Sequence, residues 1–303
     1  MKILKRVKDN SYAVYGLGLS GNSVFRFLKK KNIKKIYTWD DKKNNNEKKF
    51  NFFKKKLDEV DYIVISPGIN IRKTRFKSKL SKNKKKIITD LDLFYMQNLP
   101  IKSIVITGTN GKSTACKLTQ HIFKTNKLDA QLGGNIGKPI LDLKIKRKSI
   151  VIIEASSFQL SYTKFLKPNF AAILNISSDH LDWHKTIKNY KDSKFKIFSK
   201  QDINDVALLN NKKLIKLFEK KNYLSKLKVI KKNALNKIVK KKITNDYLIS
   251  DPNIENLTFA YEISKLFKIK EKTFLKAVND FKGLSHRHEI FLKKKKYNFY
   301  KRF

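Results

Sequence analysis

The chain has 303 residues with 70 Lys+Arg against 25 Asp+Glu, a formal net charge of +45. Its 41% hydrophobic and 12% aromatic content can fill packed cores, which excludes a disordered basic tail, and the length suits two domains. One cysteine, Cys116, excludes a disulfide framework or a thiolate zinc cluster, and no apolar run approaches the ~18 residues of a membrane span.

Short apolar runs alternate with helical patterns, the signature of a parallel α/β architecture. Strands are predicted at 11–15, 34–39, 60–65 and 87–88, with a helix at 21–31. The pattern restarts near Leu99-Pro100 with a strand at 101–107, a helix at 112–126, and strands at 149–154 and 170–175. Residues 190–199, 253–268 and 271–281 read as helices. Boundaries are expected near 97 and 284, giving segments 1–97, 98–284 and 285–303.

The 63 lysines against 7 arginines are spread evenly along the chain. A protein that reads bases would lean on the arginine fork, so no specific nucleic-acid partner is expected, only weak polyanion affinity. Lysine, asparagine, isoleucine and phenylalanine all take A/T-rich codons, and a coding bias absorbed by solvated faces accounts for the charge.

Two glycine loops carry the chemistry. Gly16-Leu17-Gly18-Leu19-Ser20-Gly21 is a G-x-G-x-x-G between a predicted strand and helix, with Asp40 at the end of the next strand. Alone it suggests a dinucleotide site and a dehydrogenase. Thr107-Gly108-Thr109-Asn110-Gly111-Lys112-Ser113-Thr114 likewise joins strand to helix. Its backbone amides and Lys112 suit phosphate oxygens, and a hydroxyl after the lysine suits Mg²⁺. It departs from the usual phosphate-loop pattern in having Ile106 where the first glycine falls. Glu154 ends an apolar strand where a metal-binding carboxylate belongs. Asp179, His180, Asp182 and His184 cluster after the next strand and suit a metal or helix capping. A basic nucleic-acid-binding P-loop ATPase is the alternative from a different class.

Together Thr107–Thr114, Gly134-Asn135-Ile136-Gly137, Glu154 through Leu160, Asp179-His180-Leu181-Asp182, Tyr190 with Lys194, and Gly283-Leu284 with His286-Arg287 resemble the Mur ligases of peptidoglycan synthesis. The opening glycine loop and the Ser156-Ser157-Phe158-Gln159-Leu160 segment favour the D-glutamate-adding branch over another Mur or folylpolyglutamate-type ligase. The resemblance implies a Rossmann-like first domain that binds a UDP precursor, not NAD, through Gly18, Leu19, Ser20, Asp40, Ser66 and Gly68. It implies a central domain that binds ATP through Gly108–Thr114, Asn253 and Asn256, with Asn135 positioning the substrate. Two Mg²⁺ would be held by Ser113 or Thr114, Glu154, His180 and a carbamate on Lys194, and Arg287 would reach the transferring phosphate. The implied substrates are UDP-N-acetylmuramoyl-L-alanine and D-glutamate, joined through an acyl phosphate by a cytoplasmic monomer.

Two departures stand out. Leu248-Ile249-Ser250-Asp251-Pro252 replaces the family's Gly and His before Asn253. The family also continues past Asn298-Phe299 as Ile-Asn-Asp-Ser-Lys into a third, Rossmann-like domain, where this chain reads Tyr300-Lys301-Arg302-Phe303. One codon choice for Phe299–Phe303 and a stop is TTT TAT AAA CGA TTC TAA, and deleting one T from its opening run restores the family's reading. The expectation is a frameshifted chain, impaired in ligation, whose residues 285–303 are a remnant of that domain.

Overall fold

The computed structural model describes residues 7–43, 46–231, 234–235, 237–284, 290–294 and 297–300. Strand β1 (Tyr12–Tyr15) is buried along its whole length, as expected of a strand covered on both faces. It leads through the first glycine loop into α1 (Leu19–Lys30), followed by β2 (Ile36–Trp39), α2 (Glu47–Glu59), β3 (Tyr62–Ile65), α3 (Lys77–Lys82) and β4 (Ile87–Ile88). The strands form a parallel sheet in the order β2-β1-β3-β4. Lysine hides α2 from composition, yet Phe50, Phe53 and Leu57 fall on one helical face and are buried, against Trp39 and Phe76. The Asn46 side chain caps this helix by accepting from the Lys49 N–H.

Helix α4 (Asp90–Met96) joins this sheet to the next. Leu93 and Met96 enter a core with Val14, Val24 and Leu28, while Leu91 and Phe94 enter one with Val105, Val151 and Ile173. Between them Asp92 is fully buried and accepts five hydrogen bonds. Two come from Thr89 and three from Thr163, Lys164 and Phe165, at 2.6–3.2 Å.

The second sheet contains β5 (Lys102–Thr107), β6 (Ala130–Gly134), β7 (Ile150–Glu154), β8 (Phe170–Ile173), β9 (Val206–Leu209) and β10 (Lys226–Val229). All six are parallel, in the order β10-β9-β8-β5-β7-β6. Helices α5 (Lys112–Thr125), α6 (Ser157–Tyr162), α7 (Leu181–His184), α8 (Ile187–Phe195) and α9 (Lys212–Lys220) lie along the connections. After β10 come α10 (Lys237–Lys241), α11 (Asp246–Ile249), α12 (Asp251–Leu266) and α13 (Glu271–Asn279). Phe123 of α5, Phe259 and Ile263 of α12 and Phe274 of α13 share one core with the strands. The expected helix at 190–199 begins earlier, at Ile187, and gives way to a 3-10 turn at Lys196–Phe198. Strands β11 (Ile290–Lys294) and β12 (Tyr297–Tyr300) pair antiparallel as a separate two-stranded sheet.

Candidate active site

In a parallel α/β sheet, ligands gather at the carboxyl ends of the strands. Here that edge carries Thr107 of β5 and Glu154 of β7, with Asn175 and Asn210 just past β8 and β9. The loop after β5 turns at Gly111, whose φ of +79° is the left-handed region. A Cβ there would lie 2.1 Å from Asn256 Oδ1, so α12 backs the loop directly. Asn256 donates to Asn253 Oδ1 at 3.2 Å, and both residues are buried. Lys112 opens α5, and its ammonium donates to the Thr109 carbonyl at 2.7 Å. Thr109 Oγ1 lies 3.0 Å from the Tyr190 hydroxyl and accepts the Ser177 N–H at 3.0 Å. Of the two hydroxyls after Lys112, Thr114 is buried, 3.5 Å from the Tyr247 hydroxyl, whereas Ser113 stays half-exposed.

Lys194 on α8 is 1% exposed, and its Nζ donates to the Gly108 carbonyl at 2.7 Å. Burial first, and the neighbouring Lys112 charge second, lower its pKa from 10.5 to about 7. A substantial share of the amine is therefore neutral near pH 7. Glu154 is likewise 1% exposed. Its Oε1 accepts from Asn135 Nδ2 at 2.8 Å, while its buried Oε2 meets no hydrogen-bond partner among the described residues and so fits a cation or its water. Among the described residues no three His, Cys, Asp or Glu side chains cluster as a metal site.

His180 takes the left-handed conformation at φ +51°, half-exposed, with its ring 4.8 Å from that of Phe158. His184 is buried, and its Nε2 lies 3.0 Å from Ser157 Oγ. Desolvation, then the charge on Lys194, lowers its pKa from 6.5 to about 4, so it is neutral at physiological pH. Cys116 sits in the core of α5, where burial pushes its thiol up and leaves it unreactive.

The first glycine loop is braced differently. A Cβ on Gly21 would fall 1.7 Å from the Gly16 carbonyl oxygen, so helix and loop touch there. Ser66 Oγ donates to that same oxygen at 2.7 Å, and Asp40 Oδ2 accepts the Leu17 N–H at 2.6 Å. The Leu17 N–H hydrogen bond, above all, holds the Asp40 carboxyl below its usual range. Gly18 and Gly68 face open space, Leu19 is 85% exposed, and Ser20 is half-exposed beside them. Thus Gly18, Leu19, Ser20 and Gly68 are open to a ligand, and Asp40 and Ser66 shape the loop. The loop after β5 likewise brings together Gly108–Thr114, Asn253, Asn256 and Lys194. Arg287 and His286 lie outside the described residues. Sequence reasoning passed over Asn175 and Glu255 as site residues; a polar residue just past a buried parallel strand was the available signal for Asn175.

A phosphate-cradling loop at the carboxyl edge of a parallel sheet, with a buried lysine and a half-paired carboxylate beside it, defines a P-loop-type nucleotide-binding protein. Residues 106–273 match the Mur ligase middle domain. The chain is 32% identical over 324 residues to the UDP-N-acetylmuramoylalanine–D-glutamate ligase of Rickettsia bellii, covering 97% of this chain and 71% of that protein. With the same ligase of Aquifex aeolicus it shares 32% identity over 289 residues, covering 92% and 67%. The chain belongs to the Mur ligase family, whose members are ATP-dependent amide ligases. The fold agrees with the solved UDP-N-acetylmuramate:L-alanyl-gamma-D-glutamyl-meso-diaminopimelate ligase of Neisseria meningitides, at a TM-score of 0.59 and 12% identity over 91% of this chain and 99% of that one. It agrees also with the UDP-N-acetylmuramate-alanine ligase of Thermotoga maritima, at a TM-score of 0.53 and 14% identity over 96% and 73%. No helix among the described residues is long and apolar enough to cross a membrane.

Proposed function

We propose that the chain carries the machinery for ATP-dependent joining of D-glutamate to UDP-N-acetylmuramoyl-L-alanine, in the cytoplasm, where nucleotide-linked precursors and ATP meet. The observation that carries this reading is the buried Lys194 against the Gly108 carbonyl of the phosphate loop, on the same sheet edge as Glu154 with its unpartnered Oε2. The open loop around Gly18, Leu19, Ser20 and Gly68 takes the UDP end, aided by Asp40 and Ser66, within a first domain at 1–97. The loop Gly108–Thr114 takes the ATP phosphates within 98–284, with Asn253 and Asn256 toward the base and Asn135 toward the substrate.

A carboxylate is a poor acyl donor because its leaving group would be oxide. Transfer of the γ-phosphoryl group to the L-alanyl carboxylate makes a leaving group of phosphate, which the D-glutamate amine displaces to form the amide. Lys112 steadies charge on the β- and γ-phosphates as the bond breaks. Two Mg²⁺, held by Ser113, Glu154, His180 and Lys194, would supply further charge neutralisation. An ammonium cannot ligate a cation. A neutral Lys194 that takes up CO₂ forms an N–C bond, releases one N–H proton to solvent and gains a carboxylate, and its remaining N–H can still donate to the Gly108 carbonyl. Arg287 is assigned to the transferring phosphate by the family motif alone.

Both parts of this reading are measurable. UDP-N-acetylmuramoyl-L-alanine and MgATP each raise the melting temperature of the chain, and the precursor stimulates phosphate release from ATP. A chain indifferent to the UDP precursor in both assays is not this ligase. In labelled bicarbonate, a carbamate resonance appears as pH rises through about 7, where Lys194 deprotonates, and K194R abolishes it.

A further inference from the structure

Glu255, in the second turn of α12, supports the phosphate loop through an intermediary. Its Oε1 accepts Asn210 Nδ2 at 2.6 Å, and its Oε2 accepts Asn175 Nδ2 at 2.7 Å. Those two asparagines stand just past the neighbouring strands β9 and β8. Asn175 turns its other amide atom to the loop: Oδ1 accepts the Asn110 N–H at 2.9 Å. Its main-chain oxygen accepts the Thr109 N–H, also at 2.9 Å, and its Nδ2 lies 3.4 Å from the Asn110 carbonyl.

An asparagine amide fits its space either way round, and only its partners choose the orientation. Flipped, Asn175 would set its NH₂ against the Asn110 N–H, donor to donor. A carboxylate only accepts, so Glu255 is satisfied solely by the NH₂ side of Asn175, which leaves Oδ1 for the loop. The adjacent Asn256 backs Gly111 at the other end of the same loop. One turn of α12 thus holds the loop twice, by contact at Gly111 and through Asn175 at Asn110.

We propose that Glu255 is a positioning residue for nucleotide binding, which sets the Asn175 amide so that the Gly108–Lys112 loop is held in its phosphate-binding shape before ATP arrives. The inference rests on the reading of that loop as the ATP site. It makes no use of Glu255 as a ligand to nucleotide or metal.

The test is a reversal of the pair. N175D places two carboxylates against each other and lowers affinity for MgATP, measured by titration calorimetry, by about tenfold or more. E255Q alone permits either amide orientation and weakens binding by a smaller factor. In N175D/E255Q the new carboxylate accepts from the Asn110 N–H and from the new amide, which still accepts from Asn210. The bond between residues 175 and 255 is then remade with donor and acceptor exchanged, and those from the Asn110 N–H and Asn210 are kept. Only the 3.4 Å contact to the Asn110 carbonyl is given up, and affinity returns to within about threefold of the unaltered chain. Melting temperature is recorded for each variant, and if N175D does not fold, E255Q and the double variant still decide. A double variant as weak as N175D, or variants that lose melting temperature but keep affinity, overturns the proposal. An unaltered chain that binds no MgATP overturns instead the ATP reading on which it stands.

Discussion

The two glycine loops follow the first strand of each sheet and lead into a helix, and their surroundings make them different instruments. The loop after β1 is braced by its own helix and by residues just past the two flanking strands, with Gly21 against Gly16, Ser66 on the Gly16 carbonyl and Asp40 on the Leu17 N–H. Its one charged brace is a carboxylate. The loop after β5 is braced by four residues from three other elements or connections, Asn175, Tyr190 and Lys194 of α8, and Asn256, and has two lysines beside it. Glycine spacing sets the path of a backbone. The charge and reach of distant side chains decide what that path can hold.

The comparison can be broken from either side. The largest effect is expected from G21A, whose methyl would meet backbone that cannot move aside, at a cost of roughly 3 kcal/mol of stability. Thermal melting should show that loss, and titration should show UDP-precursor binding lost with MgATP binding kept. K112A should do the opposite, lowering MgATP affinity about 10- to 100-fold, since a charge-assisted bond is removed. Equal damage to both ligands from either variant would mean that the loops do not serve separate ligands.

A smaller effect belongs to His184. Its folded pKa, about 4, lies below its ordinary 6.5, so the unfolded chain binds the extra proton first. Stability is therefore lost as pH falls from 6.5 toward 4, and above 6.5 the residue costs nothing. H184Q keeps a partner for Ser157 and should flatten that acid limb by on the order of 1 kcal/mol, read from denaturant melts at several pH values. A limb unchanged in slope would place the acid sensitivity elsewhere. The smallest effect is D40N. It removes the charge that the Leu17 N–H favours, costing ~1 kcal/mol or less at neutral pH, with the difference fading on acidification as Asp40 itself protonates.

Much of this was legible in the residues. Buried parallel strands such as 150–154 are unbroken apolar runs, and Gly111-Lys112 marks the start of α5 because only glycine suits the left-handed turn before it. What stayed hidden had physical reasons. Strand β10 reads Lys-Leu-Lys-Val at the sheet edge, half-exposed, so it lacks the apolar signature. Helix α2 carries its three buried residues among five lysines that dilute the period. Glu255 lies between two asparagines that match a family motif, and its partners are 80 and 45 residues away, a proximity only the fold creates.

Helix α4 has a consequence for how the molecule comes apart. Alternate residues of one short helix belong to two cores, and Asp92 between them draws its five donors from both ends of a 77-residue stretch, Thr89 to Phe165. Loosening either core exposes apolar side chains of the other and strands a buried carboxylate. The two sheets are thereby coupled in unfolding, and a calorimeter should record their melting as one cooperative transition.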